Sequence, residues 1–192
     1  MGTLIAGLLL FLGIHSVRIF AADWRTARIA GMGEKRWKGL YSLASLAGFV
    51  LIIWGYGQAR QAPTALWSPP SWMWTVTSLL TLPAFVLIVA GNMKGTRMKT
   101  WLGHPMVAGT KLWAFAHLIS TAHVAGVVLF GSFLAWSILE YTSARKRDRA
   151  AGVVYPAGTA SRDAIALVIG VTAWVVFAWW LHAALIGLRP FG

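Results

Sequence analysis

The residues able to do chemistry in this chain are few, and most of them are histidine. His15 closes the apolar run "LLLFLGIH" with Arg18 three residues on, and "GHPMVAGTKLWAFAH" carries His104, Lys111 and His117. His123 and His182 complete the set of five. Neutral imidazole is a metal ligand, and a haem iron takes one axial ligand on each face. Two imidazoles from different helices are therefore the pattern of a bis-histidine haem. Helical rise puts His117 about 20 Å beyond His104, so no single small site holds all five. Two groups are open: an inner one of His15 and His104, and an outer one of His117, His182 and His123. Lys111 follows His104 by seven residues, nearly in line with it, and Arg18 shares a helix face with His15. Cations so placed suit haem propionates. The plainer uses are a hydrogen-bonding anchor at a membrane boundary, expected for His123 and His182, and snorkelling, expected for Arg18.

Other chemistry is thin. With no cysteine there is no disulfide, thiolate nucleophile or cysteine-ligated iron–sulfur cluster. The sequence has no H-E-x-x-H, nucleophile elbow or phosphate loop, and no glycosidase-like carboxylate pair. Asp23, Glu34, Glu140, Asp148 and Asp163 are expected at or beyond the ends of apolar spans, leaving Lys111 and Arg18 without an evident protein anion. Tyr41 and Ser45 fall on one helix face, available to a ligand or to a neighbouring helix, the commoner use.

The elements that would position these groups are membrane spans. The chain is 58% hydrophobic and only 11% charged, with a mean hydropathy of +0.66; a soluble domain carries about 25% charged residues. Apolar blocks fall at 2–20, 36–57, 72–92, 105–121, 123–141 and 163–187. Residues 104–141 as one helix would run about 57 Å, nearly twice the hydrocarbon thickness, so the run must break, and Ser120–His123 is its polar cluster. Pro105 suits the first position of a helix, and Pro83 is expected to kink the third span. The opening segment is expected to be a retained first span rather than a cleaved leader. Tryptophans such as Trp37, Trp67, Trp72, Trp74 and Trp101 suit an aromatic belt, and Trp174, Phe177, Trp179 and Trp180 are expected to contact lipid.

Charge supplies an independent test. With six spans and the N-terminus outside, the loops at 21–38, 93–103 and 142–162 face the cytoplasm and hold thirteen of the seventeen basic residues, as the positive-inside rule asks. The net charge of +12 thus reflects membrane topology and not a nucleic-acid-binding face. The fold class expected is an all-α integral membrane bundle of six transmembrane helices, one domain over 1–192, in a bacterial inner membrane. Internal repeats of the kind transporters use are not evident.

"HSVRIF", "RWKGLYSLASL", "GHP" and "KLWAFAH", extended by "LFGSFLAW" and "DRAAGVVYPAG", together resemble the NnrU family of bacterial membrane proteins over essentially the whole chain. That family takes its name from an association with nitrite and nitric oxide reduction and is homologous to the plant 15-cis-zeta-carotene isomerase, which uses haem b. The resemblance implies haem b held by His15 and His104 as axial ligands, with His117 as an alternative or exchangeable ligand. After His117 this chain departs from the family pattern, reading "LISTAH". The function expected is haem-dependent isomerisation or redox chemistry on a hydrophobic polyene. The alternatives are a non-enzymatic accessory role in nitrite or nitric oxide respiration and, behind it, small-solute transport.

Overall fold

A computed structural model describes residues 1–190. Helices are α1 (Gly2–Phe20), α2 (Ala22–Met32), α3 (Glu34–Ala59), α4 (Trp72–Asn92), α5 (Arg97–Leu102), α6 (Pro105–Ser120), α7 (Val124–Ala150) and α8 (Ala160–Ile186). Among the described residues no extended strand occurs, only two isolated bridges. Five of the helices, α1, α3, α4, α7 and α8, are long and apolar enough to cross a membrane. At 16 residues α6 is about 24 Å long.

The run 104–141 breaks at Thr121–His123, and Pro105 opens α6. Pro83 lies inside an uninterrupted α4. Three stretches expected as loops are helical, among them residues 97–102, which form α5. Residues 22–32 form α2, and α7 continues through the charged "YTSARKRDRA" to Ala150, where the apolar block ends near 141. Alanine, arginine and lysine are good helix formers, so polar sequence alone does not end a helix.

Glycines set how closely the helices approach. A Cβ on Gly7 of α1 would lie 2.7 Å from the Ile52 nitrogen, and one on Gly48 of α3 would lie 2.7 Å from the Phe11 nitrogen. Gly55, seven residues after Gly48, faces the Leu4 backbone in the same way. These positions let α1 and α3 pack backbone to backbone, the usual way to gain dispersion contact where lipid offers no hydrophobic drive. Gly109 of α6 likewise faces Ala84 and Ile88 of α4, and Gly170 of α8 faces Val86. Thr77 of α4 donates to the Ala116 carbonyl of α6 at 3.0 Å, and Trp174 of α8 donates to Thr81 at 3.0 Å. Trp174 and Phe177, which also packs against Phe85, therefore join α8 to α4, whereas Trp179 and Trp180 are exposed. The helix α7 joins the two groups: Leu4, Leu8, Ile52, Ala125, Leu129 and Phe130 form a core cluster across α1, α3 and α7.

The connections gather at two ends. At one end Thr3 bonds Gln58, Arg60 donates to the Ile186 carbonyl, and residues 64–67 strap the α6–α7 junction: Leu66 N–H donates to Ala122 at 2.8 Å and Trp67 Nε1 to Thr121 at 2.8 Å. At the other end Thr159 N–H donates to Gly95, Thr100 donates to Pro156, and Arg147 reaches the Arg18 carbonyl.

Candidate functional site

His15 sits on α1 facing α3 and α7. Its ring stacks on Phe11, with centroids 4.2 Å apart, and is flanked by Tyr41 at 5.2 Å and the edge of Trp136 at 5.9 Å. Nδ1 lies 2.7 Å from the Phe11 carbonyl one turn back. A carbonyl only accepts, so that bond puts the proton on Nδ1 and leaves the Nε2 lone pair outward, the tautomer of a metal-bound histidine. Beside it two buried polar atoms have no hydrogen-bond partner, Trp136 Nε1 and Glu140 Oε2. Buried polar atoms without partners are uncommon in folded proteins, and one explanation is a bound group.

His117 repeats the arrangement from α6. Its Nδ1 is 2.9 Å from the Trp113 carbonyl, and its ring stacks on Phe130 at 4.7 Å. The two histidines are joined by touching rings. Trp113 lies 5.2 Å from His117, Phe133 5.5 Å from Trp113, and Phe11 5.8 Å from Phe133. This aromatic wall runs along the α1, α6 and α7 faces, and no sequence motif marks its rings.

His104 has different neighbours. It caps α6, and its Nε2 lies 2.6 Å from Asp148 Oδ2. Tyr155 donates a hydroxyl to the same carboxylate oxygen and lies 3.4 Å from His104 Nε2. Arg145 stands against the Tyr155 ring, and Tyr141 donates to the Leu102 carbonyl. The preceding Gly103 has φ +73°, and a Cβ there would meet Arg145 and Tyr155. Lys111 stands over the Tyr141 ring, 4.9 Å from its centroid, and the same ring is 6.5 Å from His104. His104 and Lys111 therefore share Tyr141, while His15 meets Tyr41 and Trp136.

Two of the five carboxylates expected at or beyond span ends, Glu140 and Asp148, are part of this region, because α7 remains helical. Glu140 pairs with Arg147 at 3.0 Å, and Arg147 also donates to Ser143 and to the Arg18 carbonyl. The Arg18 side chain is exposed. At the opposite end His182 Nδ1 bonds the Leu188 carbonyl, and His123 Nδ1 is buried with no partner. Among the described residues no three histidine or acidic side chains cluster as a metal cage; an axial pair is a different arrangement.

Burial, then the bond to Asp148, raises the Tyr155 hydroxyl above its ordinary pKa of 10. A group whose pKa is raised on folding stabilises the folded state below the unfolded value and ceases to do so as pH climbs through the folded one. The docking of residues 151–158 on α6 and α7 is therefore expected to hold through neutral pH and to loosen only above pH 10. Tyr155→Phe removes the tyrosine's hydrogen bond to Asp148 at every pH and leaves that of His104. Limited trypsin digestion in detergent should show cleavage after Arg149 several-fold faster in that variant at pH 8; equal rates would mean that the bond does not hold the segment.

Fold and site together define a multi-pass helical membrane protein with histidines built into its interior. Residues 3–190 match the NnrU protein family, and the chain belongs to it. No curated protein and no solved structure matches it.

Proposed function

We propose that this protein binds haem b within a six-span bundle of the bacterial inner membrane, N-terminus outside, and that the cofactor acts on a hydrophobic polyene. The observation that carries the reading is His15: an interior imidazole fixed by its Phe11 bond, with Nε2 unpaired, beside the unsatisfied indole N–H of Trp136. The donor set fits a haem in type. The second histidine that would hold the group is on α6, and two candidates stand there. His104 would bind through Nδ1 while Asp148 holds Nε2, an arrangement of carboxylate, histidine and metal. His117 would bind through Nε2, its Nδ1 being held by the Trp113 carbonyl.

Bound haem would supply an iron centre able to exchange electron density with a conjugated chain. The protein's part is orientation and exclusion of water. Phe11, Phe133, Trp113 and Phe130 make an apolar wall against which a flat ring or a long polyene packs. Lys111, and Arg18 near the inner end of α1, would be the cations available to the propionates.

The topology rests on the partition of the connections. The 21–38, 93–103 and 142–162 regions carry the thirteen basic residues and lie at one end, and α6 runs from that end at His104 to the other at Thr121. The chain has no native cysteine, so single cysteines at Thr64 and Ala151 report each side cleanly. An impermeant maleimide added to intact cells should label Thr64→Cys and spare Ala151→Cys; the reverse pattern would overturn the orientation.

The test of the function is an absorption spectrum of the detergent-purified protein, oxidised and dithionite-reduced, followed by carotenoid isomer analysis in a polyene-making host. A Soret band with sharp reduced α and β bands, together with a changed isomer ratio, is the expected result. A haem spectrum with an unchanged ratio would move the function to an accessory role in nitrite or nitric oxide respiration. No haem after expression with haem supplied would sink the reading.

A further inference from the structure

The α2–α3 corner carries a second cluster, independent of the haem reading. The α1 helix is about 28 Å long, so Phe20 at its end reaches the hydrocarbon boundary and α2 begins at headgroup level. No residue of α2 is buried; Phe20 is 73% exposed and Trp24 49%. A helix with this little core contact needs a surface to lie on. Its rings and cations interlock: Arg28 lies over Trp24 at 5.4 Å, Trp24 meets Trp37 edge-on at 5.9 Å, and Arg25 lies over Trp37 at 6.0 Å. Trp37, expected in the aromatic belt, is buried beneath this stack. Arg25, Arg28, Lys35, Arg36 and Lys38 stand in this corner against only Asp23 and Glu34, and Glu34 is engaged by Lys38 at 2.8 Å.

We propose that this corner is a docking surface for anionic phospholipid, with the lipid phosphodiester held by Arg25 and Arg28 on the Trp24–Trp37 platform. A guanidinium lying over an indole uses its face for the ring, so its in-plane N–H donors remain for phosphate oxygens. Stacking also fixes the side chain beforehand, which reduces the entropy lost on binding. The excess of positive charge selects an anionic lipid, and the exposed Phe20 and Trp24 sit where acyl chains begin.

The experiment uses the full chain in neutral detergent. Phosphatidylglycerol, phosphatidylcholine or inorganic phosphate is added, and retained lipid is read by native mass spectrometry with melting temperature as a second readout. Phosphatidylglycerol should bind selectively and raise the melting temperature. Arg25→Gln with Arg28→Gln should weaken its binding about 30-fold, at about fivefold for each basic side chain. Arg28→Gln alone, at an exposed site, guards against a folding defect and should cost about fivefold. Arg97→Gln with Lys99→Gln, at the same end of the bundle, should leave binding unchanged. Equal retention of phosphatidylcholine, equal stabilisation by inorganic phosphate, or equal loss in the Arg97/Lys99 control would each overturn the assignment.

Discussion

His15→Ala protein is expected to purify as a folded bundle with haem content lowered by more than an order of magnitude. His15 is half-buried and touches Phe11, Tyr41 and Trp136, so truncation leaves a small gap and removes one short side chain from a contact made mostly by its neighbours. The cost in stability is expected at about 1–2 kcal/mol, well under the loss of a large core residue. The cost to the cofactor is of another kind, because the proposed iron–nitrogen bond is lost outright. His104→Ala and His117→Ala complete the comparison. The one supplying the second ligand should convert a low-spin spectrum to high-spin, and the other should leave it unchanged. Haem added together with imidazole to His15→Ala should restore the Soret band, a result that haem alone should not give and a purely structural role would not allow. Spectra identical to the parent protein in all three variants would end the axial-ligand proposal.

The five long apolar helices were legible because lipid imposes a length and a hydropathy that short stretches of sequence report directly. The break at Thr121–His123 followed from length, and the helix start at Pro105 from its missing N–H. What followed Tyr141 was harder to read. Polar residues after an apolar block look like a loop, yet nothing in "SARKRDRA" breaks a helix, and α7 runs on to Ala150. That continuation builds the His104 surroundings. Tyr141 and Asp148 are seven apart and share a stripe, as do Glu140 and Arg147, so reading the heptad past the apolar edge would have found both pairs. Tyr155 is a different matter: it is 51 residues from His104 in sequence and reaches it through a turn that no local pattern announces. The histidines were visible as residue types. Their hydrogen-bond partners, which decide which nitrogen is free, came only with the packing.

The close approach of α1 and α3 carries the second large expectation. Leucine at Gly48 should destabilise the bundle by about 3 kcal/mol or more, since overpacking costs about 1–3 kcal/mol even where flexible side chains can yield. Here the obstacle is the Phe11 backbone, 2.7 Å from the new Cβ before the rest of the side chain is placed. Relief requires moving α1 away from α3, and α1 carries His15 against Tyr41. Haem content is therefore expected to fall together with the melting temperature. Gly57 provides the matched control on the same helix, because a Cβ there meets nothing within 4 Å. Gly57→Leu should be neutral or stabilising by up to about 1 kcal/mol, the gain from replacing glycine within a helix. If the two variants melt alike, the α1–α3 contact is not the close packing described, and the Tyr41 wall of the histidine site loses its support.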